Sequence, residues 1–399
     1  MVDDSFTEVS NRSWFNRIGG AFKGIIVGLL LIVAAFGLLF WNEGRAVQRY
    51  KTLQEGGGIV KSVSAQAVDP GNEGRLVHVT GRAETTETLV DSEMGVKAPA
   101  IALIREVMMY QWKESSRSEK RKKLGGGEET VTTYTYSKEW SERVLDSTAF
   151  KQQEGHSNPG HMAYQSKTIN AENVRLGAFK LPDFLVRKIT GESPLTLNSE
   201  VPPPLTQRMN VQRESNGFYF GGNPSSPQVG DLRMTYRVVL PAEISLVARQ
   251  VGTSFTPYTA AAGGSIELLS MGTLGADAMF KEAQQSNTIL TWVLRLGGFV
   301  LMAIGVNMLL APLVVLADVV PAIGSLIGAG TFIISTLFSG VFSFLTIAIA
   351  WFVYRPLLGC ALVGVAVAIG VVLFRKVKKA EPVMAPPIPP STPPPVPGG

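Results

Sequence analysis

A single carboxylate lies in a long apolar part of the chain. Asp318 is the one charged residue of the stretch GVNMLLAPLVVLADVVPAIGSLIGAG, in which Pro312 precedes it and Pro321 follows it. A carboxylate at the centre of a membrane helix costs about 3 kcal/mol on insertion scales, so such a residue commonly serves an ion or proton path. The two prolines instead favour a connection along the bilayer surface. We therefore expect Asp318 among headgroups and water, with a buried ion or proton site as the alternative.

Other residue types that could perform chemistry are sparse. The chain has three histidines, and GHSNPGH places His156 and His161 five residues apart, while His78 is remote from both. Zinc needs three or four ligands at matched geometry, and the only cysteine, Cys360, lies in an apolar run. The sequence contains no HExxH motif, Walker loop, nucleophile elbow or dinucleotide fingerprint. We expect no catalytic, cofactor-binding or metal-binding residues.

The elements that hold these residues are dominated by apolar stretches of membrane length. The first stretch is interpreted as an uncleaved anchor, because no small-x-small cleavage site followed by a polar start comes after it. Between Asp318 and Arg355 lie 36 uncharged residues, too many for one span and too few for two. The predicted spans are residues 24–42, 289–312, 331–353 and 356–374, with an interfacial or re-entrant segment at 313–330.

Basic residues predict the orientation of these four spans. Residues 375–399 begin with lysine and arginine and continue with nine prolines in the last 18 residues. Cytoplasmic flanks are enriched in basic residues, so this tail and residues 1–23 are expected in the cytoplasm. Residues 43–288 then form one extracytoplasmic domain. The net charge of +5 is not clustered with aromatic residues, so nucleic acid is not an expected partner.

Alternating patterns predict a β-rich domain, so the fold class is an α+β membrane protein. IALIREVMMYQW and TVTTYTYSKEW indicate the two strands of a long hairpin, which would bring Tyr110 and Trp112 beside Tyr134, Tyr136 and Trp140. KESSRSEKRKKLGGGEET between them is interpreted as a mobile, solvated tip. Further strands are expected in RLVHVTGRA, DLRMTYRVVL and ISLVARQ, and a helix in GADAMFKEAQQSNTILTWVLRLGG.

Seven motifs occur in an order that resembles a known family. They are REVMMYQWKE, YTYSKEW, GHSNP, PQVGDLR, VARQ, SNTILTWVLRLGG and WFVYRPL. Together they resemble the transmembrane protein 43 family, also called LUMA, from the first anchor to the last helix. Met108 departs from the family pattern, which has an acidic residue before MYQW, and the proline-rich tail departs as well.

The resemblance implies four spans, cytoplasmic termini and a large lumenal domain. It also implies a role like that of the animal relatives, which lie in the endoplasmic reticulum and inner nuclear membrane, self-associate and bind lamins and emerin. Spans rich in alanine, glycine and valine, together with low cysteine usage, are typical of a bacterial chain. For a bacterial member the membrane would be the inner membrane, and lamins and emerin could not be partners.

The expected function is therefore a non-enzymatic membrane scaffold. Such a protein would self-associate, contact membrane lipids and recruit membrane-protein partners that the sequence does not identify. The alternative is a channel or transporter subunit or modulator, supported by Asp318, Asn307, Arg295 and Arg355 near the spans. A third hypothesis, an enzyme acting on cell-envelope lipids, needs a polar cluster facing the membrane, which a single sequence does not identify.

Overall fold

Three long helices organise the computed structural model, which describes residues 4–197, 210–357 and 359–361. They are α1 (Trp14–Ile59), α3 (Ala276–Ala317) and α4 (Pro321–Tyr354), and a short helix, α2, covers Asp183–Val186. Each long helix is long and apolar enough to cross a membrane. The expected fourth span at 356–374 and the tail at 375–399 lie almost entirely outside the described residues.

The helices extend beyond the apolar stretches that predicted them. α1 begins ten residues before the expected span and continues to Ile59, because hydropathy marks the membrane-length part of a helix and not its ends. Residues 313–330 are helical except for a short break between Ala317 and Pro321, whereas the sequence predicted an interfacial or re-entrant segment. Pro312 lies inside α3, and Pro321 takes the first turn of α4, where its missing N–H removes no hydrogen bond.

The first of two large sheets has eight strands. Six follow the order β1-β7-β6-β14-β13-β12, while β8 also pairs with β6 and β11 also pairs with β14. All of these pairings are antiparallel. The strands are β1 (Ser5–Arg12), β6 (Ala102–Lys122), β7 (Glu128–Ser141), β8 (Lys167–Asn170), β11 (Glu192–Pro194), β12 (Val211–Glu214), β13 (Gly217–Phe220) and β14 (Leu232–Val239).

The second sheet has seven strands and packs against α1 and α3. Its order is β10-β9-β3-β15-β16, with β2 parallel to β3 and β19 antiparallel to β15. Its strands are β2 (Lys61–Val63), β3 (Leu76–Glu84), β9 (Arg175–Leu176), β10 (Phe179–Lys180), β15 (Ala242–Val251), β16 (Ser254–Thr256) and β19 (Leu268–Met271). Two small ladders pair β4 (Thr88–Asp91) with β5 (Val96–Pro99), and β17 (Tyr258–Thr259) with β18 (Ser265–Ile266).

Two hydrophobic clusters fix the domain. The larger one contains residues of both sheets, among them Val79 of β3, Leu103 of β6 and Leu246 of β15. The smaller one packs Leu53 of α1 and Phe280 of α3 with residues of the second sheet. The C-terminal end of α1 and the N-terminal end of α3 are therefore attached to the β-rich domain. The sequence predicted a helix that leads from this domain into the second span, and α3 is that helix.

Glycines let α1 and α3 approach closely along their apolar parts. A Cβ on Gly28 would lie 2.7 Å from the Gly305 carbonyl oxygen, and a Cβ on Gly305 would lie 2.8 Å from that of Gly28. Further along, Ala35 and Leu39 of α1 and Met302 of α3 form a fully buried cluster. Small residues at a contact allow two backbones to meet, which is a common basis of helix association in membranes.

The predicted hairpin is confirmed, but it is longer than expected. Tyr110 opposes Trp140 in the register, and their ring centroids lie 5.2 Å apart. The expected neighbours of Trp112 are wrong, since it opposes Lys138, and Tyr134 opposes Ser116. The supposed loop is mostly strand, since β6 continues to Lys122 and only residues 123–127 form the turn. The expected loop over residues 113–130 is therefore wrong in its extent, and β1 pairs along β7 from Ser5 to Arg12 and continues the sheet. We call β1, residues 110–122 of β6, and β7 the arm.

Candidate functional site: charged clusters at the two ends of the helical bundle

The tip of the arm closes over the buried carboxylate of Asp318. The Lys122 ammonium donates to Asp318 Oδ1 at 2.6 Å, and Arg17 Nη2 donates to Oδ2 at 2.5 Å. Arg17 Nε also lies 3.8 Å from a Glu128 oxygen. Two cations and two carboxylates thus form a group with no formal net charge. We call Arg17, Lys122, Glu128 and Asp318 the tip cluster.

This arrangement corrects the expectation of a solvated Asp318. Its side chain has no exposed surface, because the arm, the start of α1 and the break between α3 and α4 cover it together. Backbone and indole contacts complete the cover: Trp14 Nε1 donates to the Val315 carbonyl oxygen, and the Gly125 amide donates to that of Val319. The partners lie about 200 and 300 residues away in the chain, so no local pattern reveals them.

Gly324 provides the space that the carboxylate occupies. A Cβ at this position would overlap the Asp318 carboxylate, at 1.8 Å from Oδ1. Gly126 plays a similar part in the turn of the arm, with φ of +78° and room for the Trp14 ring where a side chain would clash. The two glycines explain how an ion pair can be enclosed between a β-turn and the break between two helices.

A second buried carboxylate lies at the other end of the bundle. Glu43 of α1 is 1% exposed. It accepts two hydrogen bonds from Arg295 of α3, one from Nε at 2.7 Å and one from Nη2 at 2.9 Å. The Trp351 indole of α4 donates to the same carboxylate at 2.8 Å. A bidentate arginine with a third donor satisfies a buried carboxylate well. We call Glu43, Arg295 and Trp351 the crossing cluster, since it joins all three helices.

Polar side chains continue from the crossing cluster toward the β-rich domain. Asn42 Nδ2 donates to the Thr291 carbonyl oxygen at 3.1 Å, and Asn287 Nδ2 donates to that of Ala46 at 3.0 Å. Arg45 donates to the side-chain oxygens of Asn287, Asn42 and Thr291 at 3.0–3.2 Å. These contacts fix the register of α1 against α3 where the helices leave the apolar region.

The two clusters are separated by about the thickness of a bilayer. Arg17 and Glu43 are 26 residues apart on α1, about 39 Å at 1.5 Å per residue. Arg295 and Asp318 are 23 residues apart along α3, about 35 Å. The hydrocarbon core of a bilayer is about 30 Å thick. The apolar part of the bundle is thus bounded by one charged cluster at each end, and the arm reaches the end far from the β-rich domain.

The histidines do not converge on one site. His78 is held by Ser62 Oγ at 3.0 Å and the Leu274 carbonyl oxygen at 2.8 Å, and it lies in the second sheet. His156 stacks on Tyr136 and contacts Asp4 Oδ2 at 2.8 Å, while His161 is exposed. In the described ranges, no three His, Cys, Asp or Glu side chains are grouped as metal ligands would be.

A third buried charged group lies inside the β-rich domain. Arg105 of β6 donates to Asp91 at 2.8 Å and to Glu93 at 2.8 Å, and the Tyr236 hydroxyl donates to Asp91 at 2.8 Å. Burial, followed by the hydrogen bond to Asp91, raises the pKa of Tyr236. Arg105 contacts both carboxylates and Tyr236 contacts Asp91, so the group is a structural link between β6 and β14.

The GHSNP motif also has a structural explanation. The Asn158 amide accepts from the Trp112 N–H at 2.7 Å and donates to the Trp112 carbonyl oxygen at 2.8 Å. The Asn158 side chain therefore pairs with the backbone of β6 as a neighbouring strand would. The adjacent His156 ring contacts the Trp112 ring edge to face, with centroids 4.6 Å apart.

Known sequences place the chain in a family. The family model for transmembrane protein 43 matches residues 109–356, from the arm to the end of α4. The chain belongs to the transmembrane protein 43 family. The matched region contains the crossing-cluster residues Arg295 and Trp351, in the motifs SNTILTWVLRLGG and WFVYRPL that carried the resemblance. The sequence analysis used these motifs for the resemblance and did not predict the cluster.

Relatives named transmembrane protein 43 match over most of their length. The rat protein is 35% identical over 371 residues, which are 89% of this chain and 92% of the relative. The human protein is 33% identical over 368 residues, which are 90% and 91% of the two chains. The Drosophila transmembrane protein 43 homolog is 30% identical over 344 residues, which are 84% and 90%. No solved structure matches the chain.

Proposed function

We propose that this chain is a non-enzymatic integral membrane scaffold that self-associates and recruits other membrane proteins. The observation that carries the proposal is the reach of the arm. The arm leaves the β-rich domain at Met109, where pairing with β14 ends, and its tip contacts Asp318 at the far end of the bundle. If the three helices cross a bilayer, the arm runs beside them through the whole thickness of the hydrocarbon core.

The arm is poorly suited to contact lipid. Its exposed residues include Arg117, Glu119 and Arg121, whose side chains are 86%, 55% and 68% exposed. A charged side chain at the centre of a bilayer costs about 3 kcal/mol or more, and open sheet edges facing lipid do not occur in membranes. The arm therefore needs a protein or water environment. Neighbouring copies of the chain, with their arms facing one another, would supply that environment.

The pairing of the buried charges supports a structural function over a transport function. Asp318 pairs with two cations, and Glu43 accepts hydrogen bonds from an arginine and an indole. Neither carboxylate is therefore free to bind a transported ion. The same pairing disfavours an enzyme acting on envelope lipids, which would need a free acid or base at the membrane. A channel or transporter subunit remains the alternative to be tested by flux, because an oligomer that gathers polar arms could enclose water.

The proposal also covers the surroundings of the scaffold. Its partners would be membrane lipids, further copies and other membrane proteins. Its membrane would be the inner membrane if the source is bacterial, and the endoplasmic reticulum or inner nuclear membrane if it is eukaryotic. Membership of the family and three helices of membrane length support an integral membrane location.

Cysteine crosslinking in membranes tests the assembly. In a Cys360→Ser background, Ser116→Cys and Arg117→Cys would place thiols on opposite faces of β6, since successive strand residues alternate. Oxidation should give a crosslinked dimer for at least one of them. Thr86→Cys, an exposed position on the β-rich domain, is the control and should stay uncrosslinked.

Native mass spectrometry of the protein in lipid nanodiscs supplies the second readout. A defined oligomer is expected, and its stoichiometry should match the crosslinked species. A protein that is strictly monomeric, with no arm crosslink and no co-purifying partner, would contradict the proposal. Selective conductance in planar bilayers would favour the channel alternative instead.

A further inference from the structure

A basic cleft lies where α1 and α3 meet the β-rich domain. The cleft has a volume of about 520 Å³ and is lined by Arg45 and Arg49 of α1, Ser286, Asn287 and Leu290 of α3, and the turn around Gly264. A neighbouring cleft of about 600 Å³ lies across α1 and shares Arg45, with Lys51 and Tyr354 in its wall. Three basic residues within two turns of α1 therefore face these two openings.

The turn between β17 and β18 is held on α1 and forms one wall of the cleft. Gln48 Nε2 donates to the Ala262 carbonyl oxygen at 3.2 Å, and Arg49 Nη1 donates to that of Ser265 at 2.6 Å. A Cβ on Gly264 would lie 2.5 Å from Thr52 Oγ1, so only glycine allows this approach. The wall is fixed by side chains of α1, which gives the cleft a defined shape.

The arginines of the cleft make no ion pair among the described residues, although Glu43 lies near Arg45 and Glu267 lies near Arg49. Arg45 donates to Asn287, Asn42 and Thr291, and Arg49 donates to a backbone carbonyl, so all of these acceptors are neutral oxygens. Arg45 Nε is buried and has no hydrogen-bond partner in the described part of the chain. Arg45 and Arg49 are four residues apart on one helix face, where like charges repel. A bound anion would relieve the repulsion and supply an acceptor.

The level of the cleft matches that of lipid headgroups. Tryptophan and tyrosine residues gather at the ends of the apolar parts of the three helices: Trp41, Trp292, Trp351 and Tyr354. Such aromatic residues are enriched where a helix passes from hydrocarbon to headgroups. Arg45 lies one turn beyond Trp41, and Leu290, which is 45% exposed, extends the wall toward the apolar surface of α3. The cleft is thus polar at the domain side and apolar at the membrane side.

We propose that this cleft binds the phosphate of an anionic phospholipid, with Arg45 and Arg49 as the anchoring residues. Guanidinium groups present paired donors that match phosphate oxygens, and Ser286 and Gln48 offer further polar contacts at the rim. A zwitterionic lipid would bring its ammonium group beside Arg45, Arg49 and Lys51, so an anionic headgroup is favoured. The acyl chains would lie along the apolar surface beyond Leu290.

Lipid titration of the purified full-length protein tests the site. Native mass spectrometry after addition of phosphatidylglycerol or phosphatidylcholine should show retained adducts with the anionic lipid only. Arg45→Gln with Arg49→Gln should weaken retention about tenfold or more, since both charge-assisted anchors of the phosphate are removed. The matched control removes two exposed arginines of the domain, Arg82→Gln with Arg187→Gln, and should leave retention unchanged.

A second variant protects the test from misfolding. Ser286→Glu places a negative charge at the exposed rim without removing any contact of α1, and should also weaken retention, whereas Ser286→Gln should not. Equal retention in wild type, the double variant and Ser286→Glu would overturn the proposal, as would equal binding of both lipids. Displacement of the lipid by millimolar inorganic phosphate alone would assign the cleft to free phosphate instead.

This inference goes beyond the scaffold proposal and does not depend on it. The arm crosslinks report assembly, whereas the cleft variants report lipid retention and lie at the other end of the bundle from the arm tip. A monomer that keeps the anionic lipid would refute the first proposal and keep the second. An oligomer without lipid selectivity would do the reverse.

Discussion

Lys122 and Asp318 are separated by 196 positions in the chain, yet the lysine Nζ lies 2.6 Å from the carboxylate oxygen Oδ1. This ion pair fastens the tip of a β-hairpin to the break between two long helices. It also makes the arm, the start of α1 and the ends of α3 and α4 depend on one another. Removing one member should therefore affect all of these segments together.

Asp318→Asn should destabilise the protein markedly. The substitution leaves Arg17 and Lys122 facing a neutral amide in a buried place, and breaking a buried pair from one side costs about 3–5 kcal/mol. Thermal unfolding in nanodiscs would show the loss. Asp183→Asn, which breaks the exposed pair with Arg187, is the control and should cost less than about 1 kcal/mol.

The same variant separates a structural Asp318 from a transport role. Proton and cation flux in proteoliposomes should be the same for Asp318→Asn as for wild type, once the amounts of folded protein are matched. Adding Lys122→Met to Asp318→Asn should recover part of the stability, because one unpaired cation is removed. A clear change in flux would assign Asp318 to an ion or proton path, and an unchanged melting temperature would contradict its structural role.

Impermeant thiol reagents should report the arm tip and the N-terminal segment from the same side of the membrane. Lys123 Nζ donates to Asn11 Oδ1 at 2.9 Å, so the two positions are neighbours in space. In a Cys360→Ser background, Lys120→Cys and Asn11→Cys should therefore be labelled from one face, and Thr86→Cys in the domain from the other.

This labelling decides between two descriptions of residues 43–288. The sequence predicts that the whole segment is extracytoplasmic, which would put Lys120 and Thr86 on the same face. The contact of the tip with Asp318 separates them if the helices cross the bilayer. Labelling of Lys120→Cys together with Thr86→Cys, and opposite to Asn11→Cys, would contradict the role of the arm in the scaffold proposal.

The sequence located the long helices and several main strands, but it did not reveal which distant segments pair. Period-two patterns located β3, β6, β7, β14 and β15. Burial alternates along β6 and β14, whereas β3 and β15 contain runs of consecutive buried residues and β7 is mostly half-buried. Hydropathy located the three long helices because each contains a stretch of membrane length that is rich in apolar residues. The β1 strand was missed: SFTEVSNR is largely exposed and is a strand because β7 pairs with it.

The charged clusters show a similar limit. Asp318 was singled out because a carboxylate in an apolar stretch is costly, and that argument was sound. Its partners were missed because Arg17 and Lys122 lie in segments whose position depends on the whole fold. Glu43 was interpreted as the first residue of the aqueous domain, whereas α1 continues past it and buries it against Arg295. Hydropathy does not detect the part of a helix that continues beyond its apolar stretch.

Tyr136 should make stability fall at alkaline pH. Burial, followed by the hydrogen bond to Glu114, raises its pKa to about 12 from an ordinary value of 10.0. Because the folded pKa is the higher one, the contribution of Tyr136 is fully present below pH 10 and is lost as pH rises through 12. Tyr136→Phe should be less stable than wild type at pH 8, and the difference should shrink above pH 10.

Denaturant unfolding at several pH values measures this difference. Tyr164→Phe is the control, since the Tyr164 hydroxyl makes no hydrogen bond within residues 4–197 or with the rest of the described chain. A gap for Tyr136→Phe that stays constant from pH 8 to pH 12 would mean that the hydroxyl titrates alike in the folded and unfolded states.

The contact of Gly28 with Gly305 makes the most direct prediction about the bundle. A methyl group on Gly28 would lie 2.7 Å from a backbone carbonyl oxygen, which cannot move aside as a flexible side chain could. Gly28→Ala should therefore push α1 and α3 apart and lower stability by about 1–3 kcal/mol, the usual cost of overpacking. Gly37 of the same helix has no atom within 4 Å of its added Cβ, so Gly37→Ala should be neutral or slightly stabilising.

Thermal unfolding of both variants in the same nanodiscs compares the same glycine-to-alanine change at the two positions. Because the packing of α1 against α3 holds the crossing cluster in register, Gly28→Ala should also weaken the shielding of Trp351 from aqueous fluorescence quenchers. Equal melting temperatures for Gly28→Ala and Gly37→Ala would show that the two helices do not rely on this close approach.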